Sequence, residues 1–292
     1  MNGSTVRERP VVVGIDGSDE AVAAVRWAAS YAALVHAPLW LVHTVPGGDW
    51  YGSAAFVDGG ALENELHRLG QQYLARAEVT ARAVSLDLCV ESFSVDGTFA
   101  SFASTTPAEL VVLGAKKSGY TRDVVLGSSI IRVVNHAQGP VLVWREGADP
   151  GNDRRPVVVG VDGSEQSNRA FELGMEMAQT LGRRLIAANY WGLAAEAVSA
   201  IGAGYIDWVK VRADEERWLR TYVAPMREKY PDVILSTVSA ESTPSRGLRA
   251  LSSSAWIVAV GSRGRGALRS VALGSVSQNL VHHSECAVLI VR

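Results

Sequence analysis

PVVVGIDGS, residues 10–18, and PVVVGVDGS, residues 156–164, are one stretch met twice in a chain of 292 residues. Each reads as a continuous apolar run, the pattern of a strand buried on both faces, stopped by Asp-Gly-Ser. That tripeptide is a turn signal: glycine permits a positive φ, and Asp and Ser bond their own backbone. Further pairs follow in the same order at nearly the same separation. Leu110-Val-Val-Leu-Gly114 answers Ile257-Val-Ala-Val-Gly261, Leu126-Gly-Ser128 answers Leu273-Gly-Ser275, and Pro140-Val-Leu-Val-Trp144 answers Ala287-Val-Leu-Ile-Val291. The chain is two copies of one domain. Between them Glu146-Gly-Ala-Asp-Pro-Gly-Asn-Asp-Arg-Arg155 is polar and without periodicity. The expected organisation is a first domain over 1–146, a linker over 147–155 and a second domain over 156–292.

Within each copy strands and helices alternate. In the first, the pattern predicts strands at Val11–Asp16, Leu39–Val45, Leu88–Val95, Leu110–Gly114 and Val141–Trp144. Helices are expected over Asp19–Val35, along Leu62, Leu66, Leu69 and Tyr73, over Phe99–Thr105 and over Ser128–Asn135. In the second copy Trp208, Val211, Trp218, Tyr222 and Met226 share one helical face and read as core. Strands joined by helices make right-handed parallel βαβ units. The predicted fold is α/β: two tandem, doubly wound, open parallel sheets of five strands each, Rossmann-like. In such sheets ligands bind outside the carboxyl ends of the strands, at a topological switch point.

Composition narrows the function. The net charge is −2, so bulk electrostatics favours neither nucleic acid nor an anionic membrane surface. No apolar run approaches the length of a transmembrane helix, and MNGSTVRERP has no apolar signal-peptide core, so a cytoplasmic protein is expected. Cys89 and Cys286 lack ligand or disulfide spacing and sit in apolar runs, which predicts two buried core residues. The six histidines show no metal-ligand spacing, and no metal site in the protein itself is expected.

The strand ends carry the chemistry. GSRGRGALRSVALGSV, residues 261–276, begins where the fourth strand of the second copy ends. Gly261 and Gly264 let an anion approach the backbone, and Gly274-Ser275 opens a helix whose N–H groups and dipole favour phosphate. Ser275 is either the N-cap or a direct phosphate ligand. Arg263, Arg265 and Arg269 are either phosphate contacts or solvated loop charges. The stretch is neither a Walker loop nor a dinucleotide fingerprint, since GxxxxGK[ST] and GxGxxG are both absent.

The spacing Gly261-x2-Gly264-x9-Gly274-Ser275, with VGVDGS before it and AVLIV after it, resembles the ATP-binding signature of the universal stress protein family. The resemblance covers both halves and is of the tandem-domain type common in actinobacteria. It implies a fold similar to adenine nucleotide alpha hydrolases, with ATP, and Mg2+ with it, between the first strand and the loop after the fourth. By that resemblance Asp162 lies by the adenosine, with a turn role as the alternative. Tyr190 offers backbone hydrogen bonds to adenine, Gly261 touches ribose, and Gly264, Gly274, Ser275 and Val276 hold phosphates. The matching set in the first copy is Asp16, Thr44, Gly114, Lys117, Gly127, Ser128 and Ser129. There Lys117 replaces the second glycine and makes the motif degenerate, while Lys116, Lys117 and Arg122 offer point charges instead.

Three classes of function are therefore expected in order. The first is an ATP-binding stress or signalling regulator, not an enzyme, acting on a partner protein. The second is a scaffold of the same fold that works through protein contacts alone. The third, an ATP-consuming ligase-like enzyme, is disfavoured because GIDGSDE lacks the paired glycines of an SGGxDS-type loop. The resemblance also implies that the fifth strands, Val141–Trp144 and Val288–Val291, pair antiparallel as an intrachain pseudo-dimer, with a homodimer a further step.

Overall fold

A computed structural model describes residues 7–45, 59–115, 128–145, 154–192, 207–264 and 273–292. The chain divides into two compact units, Met1–Pro150 and Gly151–Arg292. The N-terminal unit runs β1 (Val11–Gly14), α1 (Asp19–Val35), β2 (Leu39–Val45), α2 (Gly59–Val84), β3 (Val90–Asp96), α3 (Phe99–Thr105), β4 (Leu110–Gly114), α4 (Ser128–His136) and β5 (Val141–Trp144). The C-terminal unit runs β6 (Val157–Gly160), α5 (Glu165–Thr180), β7 (Leu185–Trp191), α6 (Trp208–Lys229), β8 (Leu235–Glu241), α7 (Pro244–Ser252), β9 (Ile257–Gly261), α8 (Ser275–His283) and β10 (Ala287–Val291).

Within each unit the five strands are parallel, in the orders β3-β2-β1-β4-β5 and β8-β7-β6-β9-β10. Val11 lies opposite both Leu39 and Leu110, and Val157 opposite both Leu185 and Ile257. The chain steps outward in one direction from β1 and then returns to its other side at β4. The switch points therefore fall between β1 and β4 and between β6 and β9. Val11, Val12, Val13, Val157 and Val159 are fully buried, as strands covered by helices on both faces should be.

Local chemistry sets the elements that frame the strand ends. Ser18 Oγ accepts from Ala21 N at 3.1 Å and Ser164 Oγ from Ser167 N at 3.3 Å, capping α1 and α5. Gly17 and Gly163 stand at φ 83° and 79°, a conformation open to glycine, so the turns between β1 and α1 and between β6 and α5 depend on them. The first strands are shorter than the apolar pattern predicts. β1 ends at Gly14 and β6 at Gly160, which leaves Asp16 and Asp162 in the turns beyond.

Three expectations need adjustment. Cys89 is exposed, whereas Cys286 is buried. The residue precedes edge strand β3, where alternation turns Leu88 inward and its neighbour outward. The third strand itself starts at Val90 and runs one residue past Val95. On α6 the fully buried positions are Leu219 and Val223, with the aromatic stripe half-buried beside them. Trp218 stacks on Tyr222 at 4.9 Å, and Tyr222 on Phe171 of α5 at 5.7 Å, so the stripe clamps α6 to α5. No helix among the described residues is long and apolar enough to cross a membrane.

Candidate functional site

Asp162, Tyr190, Gly261, Gly264, Gly274, Ser275 and Val276 surround one cleft of about 320 Å³ in the C-terminal unit. They come from four places in the sequence: the turn after β6, the end of β7, the end of β9 with its loop, and the start of α8. The cleft thus lies at the carboxyl ends of the strands, at the switch point. Val161, Ala188, Leu248 and Val260 give it an apolar wall.

Asp162 is half-buried, and its two oxygens do different things. Oδ1 accepts from Ser164 N at 2.9 Å and holds the turn. Oδ2 is turned toward Gly264, so closely that a Cβ added there would sit 2.6 Å from it. One oxygen of this side chain thus holds the turn while the other faces the loop at Gly264. Behind it lies Ser167, which sequence reasoning missed. Its buried Oγ accepts from Gly163 N at 3.2 Å and donates to Ser164 O at 3.1 Å. The first copy has Ala21 at the matching place after Ser18, so comparing the two copies was the signal that could have found Ser167.

Tyr190 closes the other end. Its ring rests on Gly247 of α7, where an added Cβ would fall 2.3 Å from the ring. Burial pushes the Tyr190 phenol above the ordinary tyrosine range.

The two ends of the glycine pattern do different work. A Cβ at Gly261 would meet Gln166 Cβ at 2.7 Å and the Gln166 carbonyl carbon at 2.8 Å. At Gly114, in the N-terminal unit, the equivalent atom would meet the Glu20 carbonyl at 2.6 Å. The glycine that ends the fourth strand is therefore required by helix packing in both units, apart from any ligand. Gly274 is different: the nearest atoms to an added Cβ are 3.4 Å away. Gly274, not Ser275, is the N-cap of α8, and no side chain caps that helix. Ser275 is the first helical residue, because Gly274 N donates to Ser262 O at 2.8 Å and takes the extended cap conformation, φ −59° and ψ 154°. Buried Ser277 Oγ donates to Gly261 O at 2.7 Å and ties the helix start to the strand end. Arg263 is half-buried and lines the cleft.

In the N-terminal unit Asp16 is exposed, and its Oδ1 accepts from both Ser18 N at 3.0 Å and Ser18 Oγ at 2.5 Å. Thr44 is half-buried in β2, Gly114 ends β4, and Ser128 and Ser129 open α4. His43 Nδ1 lies 2.7 Å from Ile15 O, and the Tyr73 ring covers Gly17. Lys117 and Gly127 fall outside the described residues, as do Lys116, Arg122, Arg265 and Arg269. Among the described residues no group of three or more His, Cys, Asp or Glu side chains is placed to hold a metal ion.

Fold and site together define a tandem α/β protein with a ligand-sized cleft at the strand ends of its second unit. The model of the universal stress protein family matches residues 8–145 and again 153–292, and the chain belongs to that family. A universal stress protein of Mycobacterium tuberculosis is 35% identical over 301 residues, covering 98% of each chain. One from Mycolicibacterium smegmatis is 29% identical over 293 residues, covering 98% of this chain and 97% of the relative. The crystal structure of a universal stress protein from Archaeoglobus fulgidus superposes with a TM-score of 0.69 at 15% identity, over 97% of this chain and 98% of that one, a likeness of fold.

Proposed function

We propose that the C-terminal unit binds an adenine nucleotide, ATP with its Mg2+, and that the protein acts as a nucleotide-dependent regulator of a partner protein rather than as a catalyst. The observation that carries this reading is the convergence on one cleft of seven positions from four places in the sequence, with the Asp162 carboxylate turned toward Gly264. The chemistry of the lining is graded along the cleft. Apolar Val161, Leu248 and the Tyr190 ring suit a flat base at one end. Asp162 accepts from ribose hydroxyls, the hydrogen bonds a carboxylate makes best. At the other end Gly264, Ser275 and Val276 offer backbone N–H groups to phosphates, Gly274 leaves room beside them, and Arg263 adds a guanidinium. Mg2+ rides on phosphate oxygens and water, as that ion commonly does. Asp162 Oδ2 stands against Gly264, so its carboxylate marks the place where ribose gives way to the first phosphate, with the ribose hydroxyls donating to it.

Mass spectrometry of nucleotide released from the denatured, freshly purified protein tests the proposal. ATP at one molar equivalent or more per chain is expected. Gly274→Glu should empty the C-terminal cleft while leaving its unfolding midpoint in place, since the fold has room for a Cβ there. If nothing is released and added ATP-Mg is not taken up, the nucleotide reading fails and the scaffold reading replaces it.

A further inference from the structure

The sheet measures out distance along the cleft. Tyr190 stands at the end of β7, Asp162 beyond β6, Gly261 at the end of β9 and Arg292 just past β10. These four strands are neighbours in that order. At about 4.8 Å per strand, the path from Tyr190 to Arg292 covers about 14 Å. Val291 lies opposite Gly261 in the parallel pairing, and Ser262 N donates to Val291 O, so Arg292 leaves the sheet level with Ser262, one residue before Arg263, and near enough to feel its charge. Arg169 of α5 holds this end in place: its guanidinium donates to Arg292 O at 3.2 Å and pairs with Glu165 at 2.6 Å.

Two guanidiniums brought together repel each other. Partial burial, and then the like charge of Arg263, pulls Arg292 below the ordinary arginine range. Arg263 makes no ion pair with the described residues. An anion lying between them relieves the repulsion, and forked guanidiniums suit phosphate oxygens.

We propose that Arg263 and Arg292 form an outer-phosphate clamp, which makes the C-terminal cleft selective for nucleoside di- and triphosphates over monophosphates. This rests on the nucleotide reading above. With the base at β7 and the sugar at β6 and β9, a single phosphate ends over β9, within reach of Gly264 and Gly274. Each added phosphate extends the anion toward β10 and Arg292. Chain length is thereby read as charge delivered to a site beyond the fourth strand.

Isothermal titration of the full chain with ATP, ADP and AMP tests the clamp, using wild type, Arg292→Gln and Arg292→Lys. Arg292→Gln should weaken ATP by about tenfold, the worth of one charge-assisted hydrogen bond, and leave AMP unchanged. Arg292→Lys, which keeps the charge, should recover part of the loss. An unchanged ATP-to-AMP affinity ratio in Arg292→Gln would overturn the clamp and leave the nucleotide reading standing. Failure of wild type to bind any of the three removes both.

Discussion

Gly264 is the position where the two copies diverge and where geometry makes the sharpest demand. Its φ is not among the positive values, so an alanine there meets no backbone strain. The obstacle is a single atom: the new Cβ would stand 2.6 Å from Asp162 Oδ2. Ordinary contact begins roughly 1 Å further out. Asp162 cannot swing away without cost, because Oδ1 of the same carboxylate holds Ser164 N at 2.9 Å. The exposed loop at Gly264 yields more easily than a core site, so the cost should fall at the low end of overpacking, about 1–1.5 kcal/mol. Urea unfolding of Gly264→Ala, Asp162→Ala and the double variant isolates the contact. Removing the carboxylate should abolish the penalty of the alanine, giving a coupling of about 1 kcal/mol between neighbours. If Gly264→Ala costs the same with and without Asp162, the contact does not exist and the reasoning is wrong. Gly264→Lys installs the residue the first copy carries as Lys117. It shares the same Cβ, so it should match the stability loss of alanine, and nucleotide bound to the C-terminal unit should be lost with the displaced carboxylate.

The remaining glycines should separate into two kinds. Gly261→Ala and Gly114→Ala drive a Cβ into the first turn of a helix at 2.6–2.7 Å and should each cost about 1–3 kcal/mol by denaturant unfolding, whereas Gly274→Ala should fall within about 0.5 kcal/mol of wild type. Equal losses at all three would mean that helix packing does not set the fourth-strand glycine. Burial, above all, raises the Tyr222 phenol, against a hydrogen bond from Ser167 and with the charge of Asp162. A raised folded value means the native state binds the proton more tightly. That stability is fully present below the ordinary tyrosine pKa of about 10 and is lost as pH rises through the folded value. Unfolding free energy should therefore decline above about pH 10, and Tyr222→Phe should flatten the decline. An unaltered alkaline slope in that variant would assign the loss elsewhere.

Much of the architecture was legible because each unit repeats a simple pattern. Valine runs stopped by Asp-Gly-Ser can hardly be anything but buried strands turning into capped helices, and duplication of the run gave the tandem organisation independently of any comparison. Errors arose where the pattern is one-dimensional and the cause is not. Cys89 read as core from its apolar neighbours, but its facing depends on strand alternation at a sheet edge. Ser275 read as either a cap or a phosphate ligand, and the N-cap falls one residue earlier, where Ser262 O captures the Gly274 N–H. Ser167 carried no motif, although its partners Gly163 and Ser164 lie only four and three residues before it; the first copy's Ala21 at the matching place was the signal.

The sequence by itself determined the two-copy organisation, the parallel α/β class, and the second-copy positions that line one cleft. Those follow from periodicity, turn chemistry and spacing, which are properties of neighbours along the chain. Only the tertiary structure decided what each glycine is for. Gly261 makes room for a helix, Gly264 for a carboxylate, and Gly274 for neither, a distinction set by atoms from distant segments. It likewise decided that Arg292 comes near Arg263, because parallel pairing of β9 and β10 brings Val291 opposite Gly261 and so brings together two strand ends that the sequence keeps apart.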